Sequence, residues 1–269
     1  MKKYSAIQIM GILNITPDSF YDGGKYYKKE AAIRQGLRLV EEGADIIDLG
    51  GESSRPWAKP VCKKEELKRV IPVIEALRKK IKIPISIDTY KSEVADKALK
   101  AGANFINDIS ALRMDKKMVA VARKYDVPLI LMHMQGTPRI MQKRPIYKDV
   151  VSEIYDFLKE RIKFAQKYGI KDDKIIIDPG IGFGKTVKHN LLIIKHLNKF
   201  KALKKPILIG VSRKSFIGEV LNLTEKERLE GTLAAVCVSI LRGANILRVH
   251  DVKAIKRAVE VVKAILHCA

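Results

Sequence analysis

The chain has 269 residues, 47% of them hydrophobic, and carries a formal net charge of +22. No glycine-, serine- or proline-rich linker divides it, which points to one domain over residues 1–269. No apolar run is long enough to span a membrane, and three scattered cysteines, Cys62, Cys237 and Cys268, exclude a disulfide framework and fit a reducing, cytoplasmic setting.

The first residues, Met1-Lys-Lys followed by the apolar stretch 6–13, mimic a signal peptide. That stretch is short and runs into Asn14-Ile-Thr-Pro-Asp instead of a small-residue cleavage site, so it reads as a first strand. Further short apolar runs follow at residues 45–50, 84–88, 104–109, 128–133, 174–178, 206–210 and 245–249. Each is apolar nearly throughout, as a strand buried on both faces should be. Helical periodicity fills the gaps. In the last helix Val252, Ile255, Val259, Val262 and Leu266 form one stripe. Gly43, Gly102 and Gly243 recur in Gly-Ala-Asp or Gly-Ala-Asn turns that end helices. Pro72 is expected to kink the second helix or to mark a later start. Eight strand–helix units in this length predict a (β/α)8 TIM barrel of the α/β class. A doubly wound sheet would carry a glycine-rich turn after the first strand, where this chain has Asn14-Ile-Thr-Pro.

The lysines stand in pairs along predicted helices (Lys63-Lys64, Lys79-Lys80, Lys116-Lys117, Lys204-Lys205) without interleaved aromatics. The charge therefore reads as a solvated surface and no nucleic-acid partner is expected. A basic RNA-binding barrel without catalysis is the rival from another class.

Parallel strands bring their carboxyl ends to one face, where α/β enzymes bind ligands. Those ends carry Asn14; Ser53 and Arg55; Asp88; Asn107 and Asp108; His133; Asp178 with Gly180-Ile-Gly-Phe-Gly-Lys185; Ser212-Arg-Lys-Ser215; and Arg248-Val-His-Asp251. Asp88, Asn107 and Asp178 offer carboxylate and amide edges to a flat heterocycle with N–H donors. Lys214, Arg248, His250 and Arg55 suit an anion such as phosphate or diphosphate. Any one of these residues alone could be an ion pair or a cap; their shared placement carries the inference. Other motifs fail. Pro179 stands where a phosphate-binding loop needs its first glycine. No zinc-binding or acyl-transfer motif occurs. Asp251 is expected to cap the last helix, and His189 and His196 to face solvent.

Taken in order, Met10-Gly-Ile-Leu-Asn-Ile-Thr-Pro-Asp-Ser-Phe, Asp48-Leu-Gly-Gly-Glu-Ser-Ser-Arg-Pro, Ser86-Ile-Asp-Thr-Tyr-Lys, Ile106-Asn-Asp-Ile, Met132-His-Met-Gln-Gly-Thr-Pro, Asp178-Pro-Gly-Ile-Gly-Phe-Gly-Lys, Ser212-Arg-Lys-Ser-Phe-Ile-Gly and Arg248-Val-His-Asp-Val resemble the dihydropteroate synthases. The resemblance covers every barrel loop. It implies condensation of 6-hydroxymethyl-7,8-dihydropterin diphosphate with 4-aminobenzoate, and a homodimer formed through helices far from the mouth. By position it implies that Asp88, Asn107, Asp178, Lys214 and Arg248 hold the pterin, and that Arg248, His250 and Asn14 hold the diphosphate. It further implies that Asn14 meets Mg2+, and that Ser53, Arg55, Phe183, Lys214 and Ser215 line the aminobenzoate site. Asp88, Lys214 and Arg55 are the catalytic expectations. Trp57 and Ser54 depart from the family pattern in the second loop. A corrinoid-dependent methyltransferase that binds methyltetrahydrofolate is the rival enzyme; Ser212-Arg-Lys-Ser and Arg248-Val-His, which suit a diphosphate, argue against it.

Overall fold

Runs of Ile, Leu and Val too short for a helix, each followed by a polar residue and a loop, make the strands of this chain. The computed structural model describes residues 7–16, 25–53 and 58–268. Its strands are β1 (Gln8–Asn14), β2 (Ile46–Gly50), β3 (Ile85–Asp88), β4 (Phe105–Asp108), β5 (Leu129–Met132), β6 (Ile175–Asp178), β7 (Leu208–Ile209) and β8 (Ile246–Val249). All eight expected strands are present, each trimmed or shifted by a residue or more. They pair in parallel in the order β6-β5-β4-β3-β2-β1-β8-β7. A parallel bridge between Ile177 and Ile207 joins the two edges and closes the barrel.

Around it run α1 (Lys25–Glu41), α2 (Lys63–Arg78), α3 (Ser92–Lys100), α4 (Met118–Tyr125), α5 (Val150–Lys167), α6 (Val187–Lys195), α7 (Ser215–Leu221), α8 (Leu229–Leu241) and α9 (Val252–His267). Two helices, α7 and α8, connect β7 to β8, so the helix set exceeds one per strand. Helix α2 runs through Pro72 and does not start there. Gly43, Gly102 and Gly243 end their helices with φ of +99°, +112° and +103°, a region that L side chains avoid. Helix α9 buries Val252, Ile255, Val259 and Val262, the expected stripe, each worth about 1.5–3 kcal/mol when fully removed from water. Leu266, at the end of that stripe, is exposed.

Alternation along the strands sorts the core into two shells. One side chain from every strand except β3 points into the barrel and packs as a layer: Met10, Ile46, Phe105, Ile130, Ile176, Leu208 and Ile246. The residues between them, such as Ile47, Ile106, Leu129 and Ile177, join the larger core under the helices. A strand's side chains alternate with period two. The next inward positions are therefore Ile12, Asp48, Asn107, Met132, Asp178, Gly210 and Arg248, with Ser86 and Asp88 from β3. The polar layer of the mouth is the register continuation of the apolar plug beneath it.

Candidate active site

Arg248 lies at the centre of this layer. Its Nε donates to Asp48 Oδ2 at 2.6 Å and one Nη donates to Asp88 Oδ2 at 2.7 Å. Asp48 Oδ2 also accepts from Asn107 Nδ2 at 3.1 Å. Burial lowers the affinity of the Arg248 guanidinium for its proton, but Asp48 and Asp88 outweigh that and hold it above its ordinary value. Burial pushes the Asp88 carboxyl up to about 7, with Arg248 pulling the other way and Asp48 adding to the rise.

Lys214 approaches the same space from the β7–α7 loop. A Cβ added at Gly210 would sit 3.8 Å from both Lys214 Nζ and Arg248 Cβ, so the absent side chain leaves room for two cations. Lys214 Nζ donates to the Ile181 carbonyl and stands 4.8 Å from the centre of the Phe183 ring. Burial brings its ammonium down to about 8, against the pull of Asp178. Burial likewise raises Asp178, while Lys214 and the Gly180 N–H, 2.7 Å from its Oδ1, favour its ionised form. Asn14 closes the ring on the β1 side: a Cβ at Gly50 would lie 3.7 Å from Asn14 Oδ1 and 3.7 Å from Asp88 Oδ2.

Apolar side chains flank this polar ring. Phe183, Met132, Met134, Met141 and Ile109 form one buried cluster, with Tyr90 packed on it. His250 is half-buried and its Nδ1 lies 3.0 Å from Ser212 Oγ. Ser215 is exposed as the first residue of α7, and Ser53 is half-buried beside Asp88, Thr89 and Tyr90. Arg55, with Ser54 and Trp57, lies outside the described residues, so its place in the site is not part of this geometry. The structure thus brings Asp88, Asn107, Asp178, Lys214 and Arg248 to one face, with Asn14, Phe183 and His250 around them.

Some expectations change. Asp251 makes no side-chain cap to α9. Its carboxylate is taken by Arg213, at 2.8 Å from Nε and 2.7 Å from Nη2, because a bidentate guanidinium is a stronger partner than one amide. His189 does not simply face water: it closes a capping box with Thr186 and packs edge-on against Tyr147 at 5.0 Å. His196 is half-buried. Asp108 ends its strand like Asp88, yet its carboxylate turns back to its own loop, accepting from Ser110 N and Oγ and from Leu112 N.

Other residues stood at strand ends or in loops of the sequence, but their partners could not be read from it. Asp48 is fully buried between Arg248 and Asn107. Lys185 is buried and donates to the Phe183 carbonyl at 2.9 Å, with His133 Nδ1 at 3.0 Å. Burial holds both Lys185 and His133 well below their ordinary values. Lys91 pairs with Glu52 and Glu66 and donates to the Val61 carbonyl at 2.7 Å. Tyr90 Oη adds a 2.9 Å bond to Glu52. This knot pins both roots of the second loop to the segment after Asp88. The glutamate of Gly-Gly-Glu-Ser and the lysine of Asp-Thr-Tyr-Lys were visible signals for it.

Known proteins resemble this chain in sequence and in fold. A family model described as pterin binding enzyme matches residues 10–250. The dihydropteroate synthase of Synechocystis sp. is 47% identical over 258 residues, covering 96% of this chain and 89% of that protein. A dihydropteroate synthase from Xanthomonas albilineans, solved with 4-aminobenzoic acid, superposes with a TM-score of 0.94 at 45% identity, covering 99% of this chain and 95% of the other. A structure of the enzyme from the same organism in complex with 7,8-dihydropteroate gives 0.91 at 43% identity, covering 99% and 96%. On this match in sequence, fold and extent, the chain belongs to the dihydropteroate synthase family of pterin-binding enzymes.

Proposed function

We propose that residues 1–269 form a single pterin-binding barrel that joins 6-hydroxymethyl-7,8-dihydropterin diphosphate to 4-aminobenzoate, giving 7,8-dihydropteroate and diphosphate in folate biosynthesis. The observation that carries this reading is the convergence of Asp88, Asn107, Asp178, Lys214 and Arg248 on one buried ring of the barrel mouth. Relatives named dihydropteroate synthase support it, and nothing among them supports the methyltransferase alternative.

The division of labour follows from chemistry. Asp178 accepts from the 2-amino and N3 groups of the pterin, and Asn107 holds the same ring. Met132 and Phe183 supply apolar surface to it, and Lys214 closes the ring site toward the amine. Arg248 and His250 face the diphosphate. In the substitution, the C–O bond to diphosphate breaks with its electron pair leaving on oxygen. The amine nitrogen of aminobenzoate then bonds to the exposed methylene and gives up a proton. An aromatic amine is a modest nucleophile, so departure of the leaving group leads, and positive charge spreads from the methylene into the pterin. Asp88 stabilises that charge, and the cationic side chains stabilise the diphosphate. Ser53, Arg55, Phe183, Lys214 and Ser215 complete the aminobenzoate side, with the second loop closing to exclude water.

Among the described residues no three His, Cys, Asp or Glu side chains are grouped to hold a metal. Mg2+ arriving with a diphosphate asks for little more than one protein oxygen, since phosphate oxygens and water fill its other positions. Asn14 Oδ1, beside Asp88 at the mouth, is a hard oxygen that fits this need. When bound, the ion would neutralise charge on the leaving group.

We place the enzyme in the cytoplasm as a homodimer. Three free cysteines suit a reducing compartment, and among the described residues no helix is long and apolar enough to cross a membrane. An exposed apolar face on α6, α7 and α8 supports self-association. The decisive assay incubates the chain with the dihydropterin diphosphate, 4-aminobenzoate and Mg2+. Formation of dihydropteroate is expected; none at any substrate concentration would overturn the reading.

A further inference from the structure

Asp48 is a buried carboxylate to which the chemistry above gives no task. It is 0% exposed. A single oxygen, Oδ2, receives N–H groups from two residues of the ring, Arg248 Nε at 2.6 Å and Asn107 Nδ2 at 3.1 Å. Its other oxygen, Oδ1, has no hydrogen-bond partner among the described residues, and neither has Ser86 Oγ, which stands at the paired register position on β3. The side chain is thus held by the site residues and not by the scaffold.

A carboxylate ion-paired with arginine accepts hydrogen bonds and donates none. Whichever end of the Asn107 amide faces Asp48 must therefore be its NH2. The reverse orientation would set two acceptor oxygens against each other in a buried space, at the full penalty of unpaired polar groups. The Asn107 carbonyl oxygen is left for a ligand. We propose that Asp48 is a positioning residue that fixes the direction of the Asn107 amide, and so makes the ring site select a heterocycle edge that presents an N–H donor at that point. Through the same oxygen it aims Arg248, so the ring contact and the guanidinium contact are set by one group.

This inference rests on the dihydropterin reading, and the test separates the two. Binding of 6-hydroxymethyl-7,8-dihydropterin, which lacks the diphosphate, is titrated against the wild-type chain, Asp48→Ala, Asp48→Asn, Asn107→Ala and the double variant Asp48→Ala/Asn107→Ala. Asp48→Ala is expected to weaken binding at least about tenfold, and Asp48→Asn, which restores an acceptor, to recover it to within about threefold. The loss caused by Asp48→Ala should be clearly smaller in the Asn107→Ala background, since the part routed through Asn107 is gone, which a general packing defect would not do. Binding of Asp48→Ala within about twofold of wild type, or an undiminished loss in the double variant, overturns the inference and leaves the dihydropterin reading intact. A wild-type chain that does not bind the dihydropterin overturns both. If Asp48→Ala does not fold, the 15N-labelled wild type decides. The Asn107 side-chain NH2 protons should exchange slowly with solvent; exchange as fast as that of an exposed asparagine rules the proposal out.

Discussion

Asp88 and Lys214 carry opposite charges in one mouth, and burial works against both. The carboxyl is pushed up to about 7 and the ammonium down to about 8. For stability, Asp88 contributes most below its ordinary value of 3.8, and that contribution is lost as pH rises through about 7. Lys214 contributes above 10.5, and its contribution is lost as pH falls through about 8. Function asks for the reverse, since an ionised Asp88 and a protonated Lys214 are the useful forms. Activity should therefore form a narrow bell in kcat/KM, rising with pH through about 7 and falling above about 8. Asp88→Asn should erase the rising limb and lower kcat by on the order of 10²–10³-fold, about 3–4 kcal/mol. Unchanged turnover in that variant removes Asp88 from the chemistry. Asp88, Asn107, Asp178, Lys214 and Arg248 were all legible in the sequence as polar residues at strand ends. Asp48 and Asp108 were legible only as a kind. A strand buried on both faces has apolar residues in both phases, so the sequence carries no alternation to say which acid points inward. Lys185 escaped because its meaning depends on burial beside His133, and a failed phosphate-loop spacing says nothing about that.

The loop between β6 and α6 places Asp178 and Phe183, and its geometry depends on one glycine. Gly180 has φ +71°, and a Cβ there would come within 1.9 Å of the His133 carbonyl oxygen. Backbone cannot yield that far without moving the loop, so Gly180→Ala should lose at least about 2 kcal/mol in urea unfolding. An unchanged midpoint would contradict this. Gly50 makes the useful contrast. It has ordinary φ, and its Cβ would meet Asp88 and Asn14 at 3.6–3.7 Å, an ordinary contact. Gly50→Ala should fold with wild-type stability and yet bind the dihydropterin diphosphate more weakly, because the methyl enters the mouth. Equal KM in the two proteins would show that ligand keeps clear of the β2 end. Strands and most helices could be read from apolar runs and periodicity. Helix α7 could not: Ser215–Leu221 is two turns long, too short for a period to repeat. The path of α2 through Pro72 is likewise decided by packing of Val70, Val73, Ile74 and Leu77, which outweighs a local breaker.

At the scale of the whole molecule, a charge of +22 and a broad apolar face oppose each other. Leu191, Val220, Leu221 and Val238, which line one groove on α6, α7 and α8, are 46%, 56%, 45% and 42% exposed. A contiguous patch of this kind marks an interaction surface, and a second copy of the chain presents the same patch across a two-fold axis. Two chains of this charge repel each other, so screening should help them meet. Sedimentation is expected to show a dimer that tightens as salt rises from about 50 to 500 mM. Binding to nucleic acid would weaken over the same range, because it depends on released counterions. The salt series therefore separates the apolar interface from the RNA-binding alternative raised by composition. Val220→Glu with Val238→Glu should yield a monomer of unchanged fold by burying charge in the contact. A wild-type chain that stays monomeric at every salt concentration, or a double variant of unchanged mass, would assign the patch to something other than self-association. The barrel could be foreseen by counting units along the chain. This face could not, because it combines side chains from three helices whose relative rotation is fixed only when they pack on the closed sheet.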